Sequence, residues 1–368
     1  MRTRPRVLFV GRTRYELPLS PSLERKFTAL RERFDVRVLA TSADGRARDD
    51  DTFRLVPRLP WLDGPLFYVL LPFRVRRLAR EHRPVAVITQ SPYEAAFVWL
   101  GRTGARVVVE LHGDWRTATR LYGSPLRRAL SPLADAVAAF GLRRATAVRT
   151  ISSYTTGLVR SIGVEPAAEF PAFMDLELFS ERPPVPLPST PAPLFIGVLE
   201  LYKNIDGLAG AWRTAAERLP GVQLRLVGRG SRRDIVERLV RDLPAQAVWT
   251  ERLTQPEIAE AIDQATCLVL PSRSEGLGRV LIEAFLRGRP AVAMDVGGIR
   301  DVVEDGVNGL LVSSDAEFAD ALVRLLTDRP LADRLGAGAR RSADRWLATP
   351  ADYAARVAAL LSPYTEAA

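Results

Sequence analysis

The sequence predicts an α/β protein with two parallel β-sheets, each covered by helices on both faces. Strand-like apolar runs alternate with helix-like stretches along all 368 residues, which is typical of such sheets. The alternation restarts after a proline-rich segment, residues 181–193, whose composition suits a stiff linker between domains. The length allows two domains, each with its own core.

Apolar runs place the strands, and helical periodicity places the helices. In the first half we predict strands over 6–11, 35–42, 85–91, 106–112 and 147–152, and helices over 21–34, 92–100 and 125–140. In the second half we predict strands over 193–198, 223–228, 247–250, 267–272 and 290–295, and helices over 204–218, 232–243, 255–264 and 277–287.

These elements divide the chain into an N-terminal Rossmann-like domain over 1–180, the linker 181–193 and a C-terminal Rossmann-like domain over 194–346. The last residues, 347–368, include a helical stretch with one apolar face, which we expect to cross back to the N-terminal domain. Ligands of parallel sheets bind beyond the carboxyl ends of the strands. We therefore expect the functional site in the cleft that the two sheets face.

The composition excludes several classes of protein. The single cysteine, Cys267, rules out an internal disulfide framework and fits a reducing cytoplasm. With only two histidines, His82 and His112, we expect no zinc site. No apolar run reaches the length that spans a bilayer, and the first run is too short for a signal peptide. The sequence therefore predicts a cytoplasmic protein.

The positive charge is concentrated in the first half. Residues 1–180 hold 29 lysines and arginines against 18 acidic residues, a balance of +11, whereas residues 181–368 hold 23 against 25. Only Lys26 and Lys203 are lysines. A nucleic acid, a membrane surface or an anionic acceptor would account for the excess, and so would a solvated arginine-rich face without a partner. No nucleic-acid motif supports the first of these, so we expect no nucleic-acid partner.

The segment 267–285 combines a strand, a glycine-containing turn and a helix start. Gly276 and Gly278 let a ligand approach the backbone closely, and the free N–H groups of a helix start favour a phosphate. Glu275 precedes the predicted helix, and Glu283 lies about 9 Å further along its axis. Each carboxylate can accept bonds from two hydroxyls. The pair is therefore suited to hold a sugar and a ribose across a diphosphate.

With its Glu-x7-Glu motif, the segment 267–312 resembles the donor site of the family-4 retaining glycosyltransferases, which have the GT-B fold of two Rossmann-like domains. The resemblance implies that Glu275 contacts the donor sugar and that Glu283 holds the ribose. It also implies donor contacts in the turn and the helix start, at Gly276, Leu277, Gly278, Arg279 and Val280.

A second match runs from Phe195 to Asn204 and resembles the diphosphate loop of the same family. It implies that Lys203 contacts the diphosphate and that Gly197 lies at the donor. The family usually has an arginine where this chain has Val198, so one expected cation is missing.

Three further donor contacts are implied by weaker matches, at Gly228, Arg252 and Leu253. Glu251 stands where the loop that contacts the base usually has a glycine, which leaves the identity of the base open. In the first half, the strand 106–112 ends at His112, and in the family a histidine at this point contacts the donor sugar. The predicted catalytic residues are thus His112, Lys203 and Glu275.

These matches predict a retaining, metal-independent hexosyltransferase that uses a nucleotide-diphosphate sugar and needs no cofactor. The acceptor would be a glycan, a lipid-linked sugar or a small molecule, and its contacts are not predicted. Lys203 and the loop amides would stabilise charge that grows on the leaving diphosphate. The alternatives are a catalytically silent nucleotide-sugar-binding protein, a GT-B nucleotide-sugar epimerase and a phosphorylase-like enzyme.

Residues 61–80 suggest a peripheral position on the inner face of the cell membrane. Aromatic residues there lead into a dense arginine cluster that includes Arg74, Arg76 and Arg77. Such a segment suits an anionic headgroup layer. The alternative is that the aromatic residues pack beneath the first sheet and the arginines are solvated.

Overall fold

A computed structural model describes residues 4–57, 63–121 and 128–365. The chain forms two compact units. The first unit contains the residues up to Met174 and the chain from Ala348 onward, and the second contains Asp175–Leu347. The predicted fold class, two parallel-sheet α/β domains, is confirmed.

The first unit has an eight-stranded sheet. Its strands are β1 (Arg6–Tyr15), β2 (Asp35–Ser42), β3 (Arg48–Asp49), β4 (Phe53–Val56), β5 (Ala86–Thr89), β6 (Arg106–Leu111), β7 (Ala147–Thr150) and β8 (Ala168–Glu169). Their order is β3-β4-β2-β1-β5-β6-β7-β8, and every pair is parallel except β3 with β4. The strand order reverses between β1 and β5, and the carboxyl ends at such a point are where ligands of open α/β sheets bind.

Helices cover both faces of this sheet. They are α1 (Pro21–Arg33), α2 (Asp63–His82), α3 (Pro92–Leu100), α4 (Trp115–Leu121), α5 (Ser131–Arg144), α6 (Ser153–Arg160) and, after the second unit, the last helix, α14 (Pro350–Thr365). On one face, α1 and α14 bury apolar residues such as Phe27 and Val357. On the other face, α2, α3 and α5 bury residues such as Leu71, Val98 and Leu142.

The second unit has a six-stranded parallel sheet. Its strands are β9 (Pro193–Ile196), β10 (Leu224–Val227), β11 (Ala247–Thr250), β12 (Cys267–Leu270), β13 (Ala291–Met294) and β14 (Gly309–Val312), in the order β11-β10-β9-β12-β13-β14. The helices are α7 (Glu177–Ser180), α8 (Ile205–Arg218), α9 (Arg233–Asp242), α10 (Gln255–Asp263), α11 (Arg279–Leu286), α12 (Asp315–Thr327) and α13 (Arg329–Ala343). The core contains the fully buried Trp212.

The proline-rich segment 181–193, predicted to be a linker, lies within the second unit. Arg289 donates from Nη1 to the Val185 carbonyl oxygen at 2.7 Å, and Arg329 donates from Nη1 to that of Pro188 at 2.9 Å. Arg287 binds the Arg182 carbonyl oxygen at 2.7 Å in the same way. Because prolines have no N–H, this segment supplies few backbone donors for its own carbonyl oxygens. Guanidinium groups from neighbouring helices and loops bind these oxygens instead and hold the segment in place.

Candidate active site

The turn after β12 positions Glu275. The strand ends at Leu270, and Ser272 follows, fully buried, with its Oγ donating to Glu275 Oε1 at 2.9 Å. The turn closes at Gly278, whose φ of 82° is in the left-handed region that favours glycine. The helix α11 begins directly after it, so its free N–H groups face the end of the turn.

The helix starts later than predicted, at Arg279 instead of residue 277. The left-handed Gly278 cannot continue a right-handed helix, and the first helical residue is therefore the one after it. Glu283 therefore lies about 6 Å from the start of α11 along the helix axis. A start at residue 277 had predicted about 9 Å.

Glu283 is 7% exposed, and its Oε1 accepts a bond from Arg279 Nε at 2.8 Å. Burial raises the pKa of Glu283, and the neighbouring Arg279 opposes that effect. Two of the predicted donor residues are thus already paired on one helix face, at i and i+4.

The loop after β9 positions Lys203. A short 3-10 turn, Leu201–Lys203, is followed by Asn204 with a left-handed φ of 53°. Asn204 Oδ1 accepts from the Gly207 N–H at 3.3 Å and caps α8, while its Nδ2 donates to Asp315 Oδ1 at 2.9 Å. These two bonds hold the residue next to Lys203 in place.

The structure brings the two loops together and pairs Lys203 with Glu275. The Lys203 ammonium donates to Glu275 Oε1, and the two side chains are 12% and 11% exposed. The Arg273 N–H also donates to the Tyr202 carbonyl oxygen at 2.7 Å. Each charge neutralises the other in a poorly solvated place. An anionic ligand on Lys203 would therefore compete directly with Glu275.

Glycines allow the neighbouring loops to approach this pair. A Cβ at Gly297 would overlap the Glu275 carbonyl oxygen, and a Cβ at Gly228 would overlap the Gly197 carbonyl oxygen. A Cβ at Gly197 would also lie 3.7 Å from Lys203 Cε. Close backbone packing thus requires glycine at 228 and 297, whereas a Cβ at 197 would make an ordinary contact with Lys203.

Three more of the predicted donor residues also lie in the second unit. Arg252 is exposed and Leu253 is half-buried in the loop between β11 and α10, and Val280 is half-buried on α11. Trp249, the residue before the last of β11, was not singled out from the sequence, and its Nε1 donates to the Gly228 carbonyl oxygen at 2.8 Å. The signal in the sequence was an aromatic residue near the end of the predicted strand 247–250.

His112 belongs to the first unit, where it follows β6 with 38% of its side chain exposed. Its Nε2 lies 3.7 Å from Glu110 Oε2. Glu110 is buried, and its Oε1 lies 3.7 Å from Arg149 Nη1 and accepts a bond from the Tyr353 hydroxyl at 3.4 Å. The ammonium of Lys26 lies 5.3 Å from the centre of the Tyr353 ring.

This cluster contains one carboxylate and several cationic groups. Burial raises the pKa of Glu110, but Arg149, His112 and Lys26 together outweigh burial and lower it to about 2. Burial lowers the pKa of Lys26, and Glu110 opposes that shift. Arg149 is fully buried, and among the described residues its Nε and Nη1 have no hydrogen-bond partner. Glu110 is therefore the main compensation for the buried positive charge.

No group of three or more His, Cys, Asp or Glu side chains suited to a metal ion occurs in residues 4–57, 63–121 or 128–365.

The two α/β units with these sheets have the architecture of the GT-B fold. Residues 190–328 match the family described as glycosyl transferases group 1, and residues 20–169 match the glycosyl transferase 4-like domain.

A protein of similar sequence supports these family matches. The lipopolysaccharide core biosynthesis glycosyltransferase LpsE of Rhizobium meliloti is 30% identical over 281 residues, which cover 73% of each chain. The chain therefore belongs to this glycosyltransferase family.

Solved structures share the fold. Sucrose-phosphate synthase from Thermosynechococcus elongatus has a TM-score of 0.79 at 19% identity, with 99% of this chain and 100% of that one covered. HepE from Anabaena, solved in complex with UDP and glucose, has a TM-score of 0.71 at 18% identity, with 98% and 100% covered.

Proposed function

We propose that this glycosyltransferase moves a hexose from a nucleoside-diphosphate sugar to an acceptor hydroxyl and retains the anomeric configuration. The observation that carries the proposal is the contact of Lys203 with Glu275 at the glycine turn before α11. A cation, a helix start and a carboxylate are what a diphosphate joined to a sugar requires. The UDP and glucose in the HepE complex support UDP-sugars as the first donors to test.

In the proposed reaction the diphosphate replaces Glu275 as the partner of Lys203. The bond between the anomeric carbon and the diphosphate oxygen breaks, and the acceptor oxygen forms a bond to that carbon on the same face. The acceptor proton goes to the leaving diphosphate oxygen. Lys203 and the N–H groups at the start of α11 stabilise the charge that grows on the diphosphate. Glu275, released from the ammonium, is then able to accept bonds from sugar hydroxyls.

Transfer should retain the donor configuration and proceed without a divalent metal, because Lys203 and the helix amides neutralise the diphosphate. Proton NMR of the product, recorded from the start of the reaction, should show the same anomeric form as the donor. Activity should persist in EDTA at the level of the untreated enzyme. An inverted product, or loss in EDTA that Mg²⁺ or Mn²⁺ restores, would contradict the proposal.

A further inference from the structure

Among the described residues of the first unit, exposed large apolar side chains are confined to one side of the sheet. Among the described residues they lie on α2, α3 and α5 or directly before α5, and none lies on α1 or α14. Phe73 is 72% exposed, Leu133 63% and Val69 61%. Apolar side chains grouped in this way mark a surface that binds a partner.

The three helices adjoin one another. The rings of Trp99 on α3 and Phe140 on α5 meet edge to face with centroids 5.1 Å apart. At the end of α3, a Cβ on Gly101 would lie 2.8 Å from the Pro72 carbonyl oxygen of α2. The exposed residues of α2, α3 and α5 therefore belong to one surface, which we call the α2–α3–α5 face.

This face is also basic. Helices α2 and α5 carry six arginines and three acidic residues. Two of these acidic residues form ion pairs with arginines: Glu81 pairs with Arg77, and Asp135 pairs with Arg120. Exposed arginines continue the exposed stripe of α2 beyond Phe73, at Arg76, Arg77 and Arg80.

Arginine also accompanies the exposed aromatic pair. The Arg144 guanidinium lies 5.4 Å from the centre of the Trp99 ring and 5.8 Å from that of Phe140. Amphipathic aromatic rings next to cationic groups are typical of the headgroup layer of a bilayer. Among the described residues, no helix is long and apolar enough to cross a membrane.

We propose that the α2–α3–α5 face docks on the surface of an anionic lipid bilayer. Val69 and Phe73 lie one turn apart on α2 and are both largely exposed, so their apolar side chains can enter the interfacial layer of a bilayer. The arginines match the negative charge of the headgroups. This membrane proposal does not depend on which nucleotide sugar the enzyme uses. It is tested by a binding assay that needs no enzymatic activity.

The test is co-sedimentation of the full chain with vesicles. We expect binding to vesicles of equal parts phosphatidylcholine and phosphatidylglycerol, none to phosphatidylcholine alone, and weaker binding as salt is added. Arg76→Glu with Arg80→Glu should reduce binding about tenfold or more. Phe73→Ser, at a side chain that packs little, should also weaken binding while leaving the circular dichroism spectrum unchanged.

The matched control is Arg33→Glu with Arg356→Glu, which makes the same charge change at exposed positions of α1 and α14. This control should bind anionic vesicles as the unmodified chain does. Equal loss in the control and the α2 variant would show a net-charge effect and overturn the assignment of this face. A dimer that Phe73→Ser dissociates, without vesicle binding, would also overturn it and identify a second copy as the occupant.

Discussion

Replacing Lys203 with alanine should lower kcat/KM with the best donor by roughly 10- to 100-fold, with part of the loss in kcat. Bonds to charged groups contribute about 1.5–3 kcal/mol, and the diphosphate becomes more negative as the glycosidic bond breaks. Steady-state kinetics with a coupled assay for the released nucleotide would measure the loss.

The alanine variant also leaves Glu275 without its ion-pair partner, and this second effect must be separated from the first. Lys203→Met combined with Glu275→Gln removes both charges and should restore the stability lost in the single variant but not the activity. Arg238→Ala, which breaks an exposed pair on α9, is the matched control and should retain full activity. Kinetics of Lys203→Ala equal to those of the unmodified enzyme would refute the role of Lys203.

Replacing Glu110 with glutamine should destabilise the first unit by about 3–5 kcal/mol at neutral pH. Removing one member of a buried ion pair leaves the other charge uncompensated, and here Arg149 and Lys26 both face Glu110. Urea unfolding followed by circular dichroism would measure the change in the free energy of unfolding. Glu110→Gln with Arg149→Met should recover part of the loss, since both charges are then removed.

The lowered pKa of Glu110 predicts that the stability of the folded chain depends on pH. The pKa of Glu110 in the folded chain, about 2, lies below its ordinary value of 4.5. Its stabilising contribution is therefore present above pH 4.5 and is lost as the pH falls toward 2. The difference in stability between the unmodified chain and Glu110→Gln should narrow over that range. Glu165→Gln, which breaks an exposed pair with Arg160, should change stability little, and an equal loss there would contradict the account.

The sequence predicts several local elements of the fold well. The strand 247–250 and the helix 92–100 have the predicted bounds, because an apolar run or a helical period ends at a clear polar, proline or glycine signal. The turn with Glu275 lies between a strand and a helix as predicted. Its direct contact with Lys203 was not predicted, because the two residues are 72 positions apart.

Other features depend on tertiary packing that no local pattern records. The helix α2 was not predicted, since Pro72 lies inside it and its aromatic residues have no clean period. Only the structure shows that Phe67 of this helix is buried while Phe73 is exposed. The Glu110 cluster also has no local signal, because its Tyr353 lies 243 positions away. Trp61, part of the predicted membrane segment, and the start of the predicted helix 125–140 lie outside the described residues.

The most direct test of the central claim is binding of nucleotide sugars to the chain and to Glu283→Ala. A thermal-shift titration with UDP-, GDP- and ADP-sugars should raise the melting temperature of the unmodified chain in a saturable way with one base class. Glu283→Ala should need roughly 10- to 100-fold more of that ligand, because the ribose loses its charged acceptor. No response to any nucleotide sugar, or equal affinity in the variant, would contradict a donor site in the second unit.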